Sequence, residues 1–138
     1  MNKPKPALIH NIMIPALGGP KGKMSASNEN ETVYTTDSPE AVKKKINKYA
    51  FSGGHPDIEE HRKKGGNPDI DVSYQYLRIF FEPDDKKLKQ IYDDYRSGKM
   101  LTGELKIILT DKINEFLKSH QEKREKARNQ LEKFLLKD

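Results

Sequence analysis

One apolar segment without an obvious partner strand constrains what this chain can fold into. The run ALIHNIMI, residues 7–14, is rich in isoleucine and has turn-forming residues on both sides, which is typical of a short buried strand. The backbone groups of a strand need neighbours, and the later sequence offers only TVYTT, residues 32–36, as a candidate. We therefore expect the chain to begin inside a sheet whose other strands lie upstream. A disordered arm is the alternative, which the isoleucine content disfavours.

From Asp37 onward the spacing of apolar residues changes to that of helices. Asp37 or Ser38 is expected to cap a first helix, with Pro39 in its first turn. The apolar face of this helix is expected to consist of Val42, Ile46, Tyr49 and Ala50.

The same periodicity continues almost to the end of the chain. Pro56 is expected to begin a second helix, Gly98 to end a later one, and Thr102 to cap a long last helix. Core stripes are expected at Val72, Tyr76, Ile79 and Phe80; at Leu88, Ile91, Tyr92 and Tyr95; at Leu105, Ile108, Leu109, Ile113, Phe116 and Leu117; and again at Leu131, Phe134 and Leu135. The sequence thus predicts a mainly α fold, with a strand-and-loop segment followed by a bundle of about five helices.

Composition bounds the class of protein. The 138 residues include no cysteine, which excludes disulfides and thiolate metal sites. Charged residues make up 34% of the chain and hydrophobic residues 33%, so the hydrophobic core must be lean. No stretch resembles a signal peptide or a membrane span, and we predict a soluble cytoplasmic protein. The net charge of +5 permits nucleic-acid binding without establishing it.

A glycine-rich loop, GGPKGKMSAS at residues 18–27, follows the apolar run. It does not match a Walker phosphate loop, because Gly22 comes one residue too soon after Gly18 and Met24 replaces the magnesium-binding Ser or Thr. It does contain Lys-Met-Ser-Ala-Ser at residues 23–27, which resembles the Lys-Met-Ser-x-Ser nucleotide-binding signature of class I aminoacyl-tRNA synthetases. A polar linker with solvated lysines is the alternative.

We call residues 18–27 the KMSAS loop, and the chemistry of these residues suits phosphate binding. The Lys23 ammonium is a compact charge that can follow the β and γ phosphates of ATP, and Lys23 is our candidate catalytic residue. Hydroxyls and backbone N–H groups supply hydrogen bonds, while the glycines let the loop close and reopen. The resemblance implies ATP with Mg²⁺ as the ligand, and as ATP-binding residues Lys23, Met24, Ser25, Ala26 and Ser27.

Three further motifs resemble the helical C-terminal domain of the tryptophanyl-tRNA synthetase family, in its archaeal and eukaryotic form. They are Ala-Phe-Ser-Gly-Gly at residues 50–54, Gly-Gly-Asn-Pro-Asp at 65–69 and Leu-Thr-Gly-Glu-Leu at 101–105. The segment KPALIH, residues 5–10, is similar to the last strand of that family's catalytic domain. The resemblance implies that residues 1–36 end a Rossmann-type catalytic domain, with the KMSAS loop, and that residues 37–138 form an α-helical anticodon-binding domain.

The other signature of the class, His-x-Gly-His, is absent from this sequence. The resemblance therefore implies the C-terminal portion of a synthetase, inactive alone, with Met1 as a boundary or an internal start. The parent enzyme, expected to be a homodimer, would activate tryptophan with ATP and charge tRNA(Trp). The alternatives are a free-standing tRNA- or RNA-binding module without catalysis, and a structural bundle without a ligand.

A basic cluster occupies residues 42–64, which contain seven lysine and arginine residues and three acidic residues. The lysines are expected to hold tRNA phosphates, and Phe51 and His55 to stack on unpaired bases. Core packing is the alternative for Phe51. The candidate tRNA-binding residues are Lys44, Lys48, Phe51, His55, Arg62 and Lys63. No two histidines have zinc-site spacing, so no metal site is expected, and His61 and His120 are expected on helix surfaces or in packing.

Overall fold

The computed structural model describes residues 12–135. In this part of the chain two short strands, β1 (Pro15–Ala16) and β2 (Gly19–Lys23), precede five α-helices. The helices are α1 (Pro39–Tyr49), α2 (Ile58–Lys64), α3 (Val72–Tyr76), α4 (Asp85–Arg96) and α5 (Thr102–Arg128). A π-helical turn, Leu77–Phe81, continues α3, and a 3-10 turn, Leu131–Lys133, follows α5. The predicted mainly α fold is confirmed.

The hydrophobic core forms where α5 packs along α1 and α3. The apolar stripes of α1 and α5 face each other, as the helical spacing predicts. Leu17, which precedes the helices, is fully buried in the same core, so the N-terminal segment packs onto the helical body. The buried hydrophobic residues of this core are Leu17, Val42, Ile46, Ala50, Val72, Tyr74, Tyr76, Leu77, Ile91, Tyr95, Leu105, Leu109, Ile113 and Leu117.

Polar side chains fix where the helices begin. Ser38 caps α1, with its hydroxyl oxygen accepting from Ala41 N at 3.2 Å, as one of the two predicted caps. Helix α2 begins at Ile58 and not at Pro56, because the Asp57 carboxylate accepts from Glu60 N at 2.8 Å and makes Asp57 the N-cap.

The predicted cap of α5 is wrong. Leu101 occupies the N-cap position, and its N–H donates to the Glu104 carboxylate at 2.7 Å. Thr102 is already helical, and its hydroxyl lies 3.1 Å from that of Ser52. The threonine therefore contributes to the interior contact described below and not to capping.

The stripe predicted for α3 and its continuation is correct only in its first half. Val72 and Tyr76 are buried, but the π turn that follows bonds Glu82 N to Leu77 O at 2.9 Å, five residues apart. This wider turn shifts the phase of the helix. Leu77 becomes fully buried and Phe80 is left 50% exposed, with Ile79 intermediate between them.

The strand predicted at residues 7–14 lies largely outside the described residues, and residues 12–14 belong to no strand. Strand β1 instead pairs antiparallel with β2, inside the segment predicted to be a loop, with Pro15 opposite Lys23 and Ala16 opposite Gly19. Gly19 has φ of +138°, a conformation that favours glycine, and it lets the chain reverse there. The other predicted candidate, residues 32–36, is not a strand.

The C-terminal end of α5 extends beyond the core. The Gln121 amide donates to Thr35 O at 3.0 Å and to Asp37 O at 3.2 Å, but residues 122–135 are all exposed. The predicted return of the apolar stripe at Leu131, Phe134 and Leu135 is therefore wrong. Phe116 is also 53% exposed. No helix within residues 12–135 has the length and apolarity needed to cross a membrane.

Candidate functional site

The β1–β2 hairpin presents Lys23 at the surface. Lys23 is the last residue of β2, and its side chain is exposed. The next residue, Met24, donates its N–H to Ile14 O at 3.2 Å and packs its side chain against the core. Because the two residues lie on opposite sides of an extended chain, burial of Met24 directs Lys23 toward solvent.

The charged side chains of this segment itself are both basic, while the Glu31 carboxylate lies beside it at Gly18. Residues 18–28 contain two lysines, Lys21 and Lys23, and no acidic residue. Ser25 and Ser27 add hydroxyl groups, with Ser27 N donating to Ser25 Oγ at 3.4 Å. An exposed ammonium with neighbouring hydroxyls suits an anion such as phosphate and disfavours a bare metal cation.

The carbonyl groups of the KMSAS loop are held from the segment that follows it. The Thr32 hydroxyl donates to Ser25 O at 2.6 Å, and the Tyr34 hydroxyl donates to Ala26 O at 2.8 Å. Asn28 N also donates to Ser25 O, at 3.2 Å, and closes a turn. The serine end of the loop is therefore anchored, while its glycine-rich end, apart from the buried Gly19, is exposed.

Lys45, one of the seven basic residues counted in the cluster of residues 42–64, does not face solvent. Its ammonium forms an ion pair with Asp37 at 2.7 Å and donates to Thr32 O at 2.9 Å. It also lies 4.5 Å from the centre of the Tyr34 ring, and its side chain is only 15% exposed. The Lys45 side chain points toward Thr32 and Asp37, in the segment that follows the KMSAS loop, and is not available to an RNA phosphate.

The other candidate lysines of α1 face solvent. Lys44 and Lys48 are exposed, and the Lys48 ammonium lies 5.2 Å from the centre of the Tyr49 ring. Both ammonium groups stand on the side of α1 away from the core residues Val42 and Ile46. This side of α1 is therefore a positive surface open to a large anionic partner.

Phe51 lies beside the glycine-rich end of the KMSAS loop. Its ring is 41% exposed, and a Cβ added to Gly19 would stand 3.6 Å from the ring's Cγ atom. Its backbone N–H donates to Leu17 O at 2.7 Å. The ring and Ile70 form part of an open cleft beside Gly18 and the first residues of β2. Phe51 is thus neither a fully buried core residue nor a free aromatic group.

The remaining candidate residues lie around α2. His55 is one-third exposed, and its Nδ1 atom lies 3.7 Å from the Glu60 carboxylate. The Arg62 guanidinium donates to the carbonyl oxygens of Gly98 and Lys99, and it therefore ties α2 to the loop before α5. Lys63 is exposed. Of this group, Arg62 has a structural role that the sequence did not indicate.

His61 is buried, and its ring nitrogens are fixed by two backbone groups. Its Nδ1 accepts from His55 N at 3.3 Å, so the neutral ring carries its proton on Nε2, which donates to Met100 O at 3.0 Å. Of the two alternatives predicted for His61, a helix-surface or a packing residue, packing is confirmed. His120 stacks on Phe116 with ring centres 6.1 Å apart.

Four polar side chains form a buried cluster that the sequence analysis did not predict, although two of them belong to motifs that it quoted. The Asp71 carboxylate accepts from Tyr95 Oη at 2.8 Å and from Gly53 N at 2.9 Å. The hydroxyls of Ser52 and Thr102 both lie within 3.3 Å of Tyr95 Oη. Burial, together with the negative charge of Asp71, raises the pKa of Tyr95 to about 12. We call Ser52, Asp71, Tyr95 and Thr102 the polar cluster.

The polar cluster joins the motifs quoted above. Ser52 belongs to the 50–54 motif and Thr102 to the 101–105 motif, while Tyr95 O accepts from Gly66 N of the 65–69 motif at 2.9 Å. These motifs therefore specify how α2, α3, α4 and α5 are joined. Within the described residues, no group of three or more histidine and carboxylate side chains is placed to hold a metal ion.

The chain is similar to known proteins over most of its length. Residues 1–118 match the model of a family described as tRNA synthetases class I (W and Y). The chain is 58% identical over 130 residues to the tryptophan-tRNA ligase of Sulfurisphaera tokodaii, covering 94% of this chain and 34% of that protein. It is 49% identical to the cytoplasmic tryptophan-tRNA ligase of Saccharomyces cerevisiae, covering 96% of this chain and 31% of that protein.

A solved structure shares the fold. The tryptophanyl-tRNA synthetase from Giardia lamblia matches with a TM-score of 0.79 and 46% identity, over 82% of this chain and 28% of that chain. The chain thus spans about a third of the length of the relatives it matches.

Proposed function

Because this chain belongs to the class I tRNA synthetases of the tryptophan and tyrosine group, we propose that it is the C-terminal portion of a tryptophan-tRNA ligase. The complete enzyme would activate tryptophan with ATP and transfer it to tRNA(Trp). The choice of tryptophan is supported by 58% identity to a ligase of that specificity. This fragment would carry the ATP loop and the anticodon-recognition surface, and it would be inactive alone.

The ATP loop is the KMSAS loop, with Lys23 as its catalytic residue. Its exposed ammonium, on a segment with two lysines and no acidic residue, is the observation that carries the proposal. As the tryptophan carboxylate attacks the α-phosphate, negative charge moves onto the departing pyrophosphate, and Lys23 would stabilise it there. Met24, Ser25, Ala26 and Ser27 would complete the contact with ATP through hydroxyl and backbone groups.

Magnesium would arrive with ATP and not through a protein site of this chain. The loop itself offers an ammonium and hydroxyls, which fit the phosphate oxygens, and the Glu31 carboxylate beside Gly18 is a single acidic group and not a metal-binding cluster. When bound, the ion would neutralise phosphate charge together with Lys23.

The tRNA would lie against the helical part. Its candidate residues fall into three places: Lys44 and Lys48 on α1, Phe51 beside the glycine-rich end of the KMSAS loop, and His55, Arg62 and Lys63 around α2. We propose that the exposed lysines hold RNA phosphates and that Arg62 shapes the surface. In this proposal, residues 1–36 belong to the catalytic domain and residues 37–138 form the anticodon-binding domain.

We also propose that the enzyme works as a homodimer in the cytoplasm. The yeast relative carries the word cytoplasmic in its name, which supports that location. The partners are then tRNA(Trp), ATP and tryptophan.

A titration of this chain against tRNA(Trp) and its anticodon mutants, followed by gel shift, tests the RNA-binding half of the proposal. Tighter binding of the wild-type anticodon is expected. Equal and strongly salt-dependent binding of all the tRNAs would indicate nonspecific charge attraction and contradict anticodon recognition. Tryptophan-dependent exchange of pyrophosphate into ATP by the complete enzyme tests the catalytic half, and its absence would refute it.

A further inference from the structure

We infer that Lys45 and Thr32 are positioning residues for the catalytic loop: through them, helix α1 fixes the serine end of the KMSAS loop and so sets where Lys23 stands. The inference rests on the proposed function, and it adds to that function residues outside the KMSAS signature. Neither residue needs to touch ATP.

The contacts form a continuous chain from helix to loop. Lys45 Nζ donates to the carbonyl oxygen of Thr32 at 2.9 Å, and the hydroxyl of the same threonine donates to Ser25 O at 2.6 Å. Ser25 follows Lys23 by two residues. One threonine therefore connects an ammonium on α1 with the backbone beside the catalytic lysine.

A second branch strengthens the first. Asp37 accepts from Lys45 Nζ at 2.7 Å and from Tyr34 N at 2.9 Å, while the Tyr34 hydroxyl donates to Ala26 O at 2.8 Å. Two consecutive loop carbonyls, those of Ser25 and Ala26, are thus held by side chains that Lys45 orders.

Burial makes this arrangement rigid. Thr32 is 5% exposed, and the side chains of Lys45 and Asp37 are 15% and 13% exposed. A shielded ion pair is screened less by water and salt than a surface pair, and a buried hydroxyl without its acceptor is costly. Removing either partner of the pair would leave a charge uncompensated, so the contacts act as one unit.

This rigidity matters because it adds to the hold of the hairpin. Before Lys23, strand β2 pairs with β1, and Pro15 lies opposite Lys23. After Lys23, the serine end of the loop cannot move without breaking the bonds from Thr32 and Tyr34. Lys23 lies where the two held segments meet. Displacement of a catalytic group by about 1 Å can reduce a rate about 100-fold, so loss of the anchor should lower the rate without removing any ATP contact.

The test compares variants that remove or keep the anchoring groups. Thr32→Val replaces the hydroxyl by a methyl of similar size, and Thr32→Ser keeps the hydroxyl. Lys45→Met removes the charge, and Lys45→Arg keeps it. Lys86→Met, at an exposed position on α4, is the matched control. The complete synthetase is assayed for kcat and KM in tryptophan activation, and this chain for amide hydrogen exchange at residues 24–28.

Thr32→Val and Lys45→Met are expected to reduce kcat by about tenfold or more, with the KM for tryptophan within about twofold. Exchange at Asn28 N, which donates to Ser25 O, should accelerate while exchange in α5 stays unchanged. Thr32→Ser and Lys45→Arg should recover most of the rate, and Lys86→Met should match the wild type.

An unchanged kcat in Thr32→Val would overturn the inference, and so would a loss that Thr32→Ser does not recover. If Lys45→Met fails to fold, the threonine pair still decides the matter. Lys23→Ala in the same assay separates the two proposals. If Lys23→Ala loses activity and Thr32→Val keeps it, the anchor is refuted and the ATP loop stands. If Lys23→Ala keeps full activity, both fall.

Discussion

The hydroxyl of Tyr95 donates a hydrogen bond of 2.8 Å to the carboxylate of Asp71, and both residues are fully buried. Asp71 also caps α3 through Ser73 N, so this bond connects the middle of the fold to a helix terminus. Tyr95→Phe leaves the carboxylate and the neighbouring hydroxyls short of a partner. We expect a loss of about 1 to 3 kcal/mol in the free energy of unfolding, measured with urea. A loss below the error of that measurement would contradict a stabilising role for the polar cluster.

The same tyrosine should make stability depend on alkaline pH. Burial and Asp71 raise its pKa from 10.0 to about 12 in the folded protein. A raised folded pKa contributes stability that is fully present below the unfolded pKa and is lost as pH rises through the folded pKa. The difference in unfolding free energy between wild type and Tyr95→Phe should therefore be largest below pH 10 and shrink toward pH 12. A difference that stays constant over this interval would show that Tyr95 does not titrate in this way.

Gly65 is required by its backbone and by a close contact. Its φ is +73°, and an added Cβ would overlap the carbonyl oxygen of Arg96. Gly65→Ala should reduce the free energy of unfolding by about 2 kcal/mol or more. Gly103 is the matched control, since an added Cβ there meets nothing within 4 Å and the residue lies in the first turn of α5. Gly103→Ala should stabilise the chain by about 0.5 kcal/mol, and equal effects of the two changes would contradict this account.

Lys23→Ala tests the proposed ATP loop directly. Removing an ammonium that acts mainly on charge in the transition state should lower kcat for tryptophan activation about 100-fold and change tryptophan binding little. Activation is measured by pyrophosphate exchange in the complete synthetase, and binding by calorimetry. An equal loss in both quantities would indicate a disturbed fold and not a lost phosphate contact.

The surface of α1 should contribute to RNA binding through charge. If Lys44 and Lys48 each neutralise a phosphate, changing both to alanine should reduce the slope of log affinity against log salt by about 2. The control changes Lys86 and Lys87 of α4, both exposed, which alters net charge equally. The same change in slope for both pairs would mean that the RNA senses only overall charge.

How far the sequence predicts this structure depends on the kind of signal. Helical spacing predicts the buried faces of α1, α4 and the first half of α5, because apolar residues that recur at every third or fourth position lie on one side of a helix. Helical spacing does not predict that Leu77 is buried, because a π turn adds one residue to a helical turn and no residue type in the sequence indicates where this happens. Residue composition fails to predict β2, because its glycines and proline disfavour strands in general, although here they form one strand of a hairpin.

The candidate site divides in a similar way. The sequence identifies Lys23 as a charged residue of the loop, and helical spacing places Lys44 on the solvent side of α1, but no local pattern indicates that Lys45 pairs with Asp37 and bonds Thr32 O. Arg62 illustrates the same limit. Its partners, Gly98 and Lys99, lie more than thirty residues away, and no local pattern indicates them.

The exposed end of α5 has a consequence for helix stability. Past Gln121 the helix continues only through residues 122–128, fewer than the roughly 12 residues below which an isolated helix is marginal in water. These last turns do not need to nucleate, because they propagate from turns already held by the core. Warming should therefore unwind α5 from Arg128 backward, with fraying that stops near Gln121 until the whole body melts.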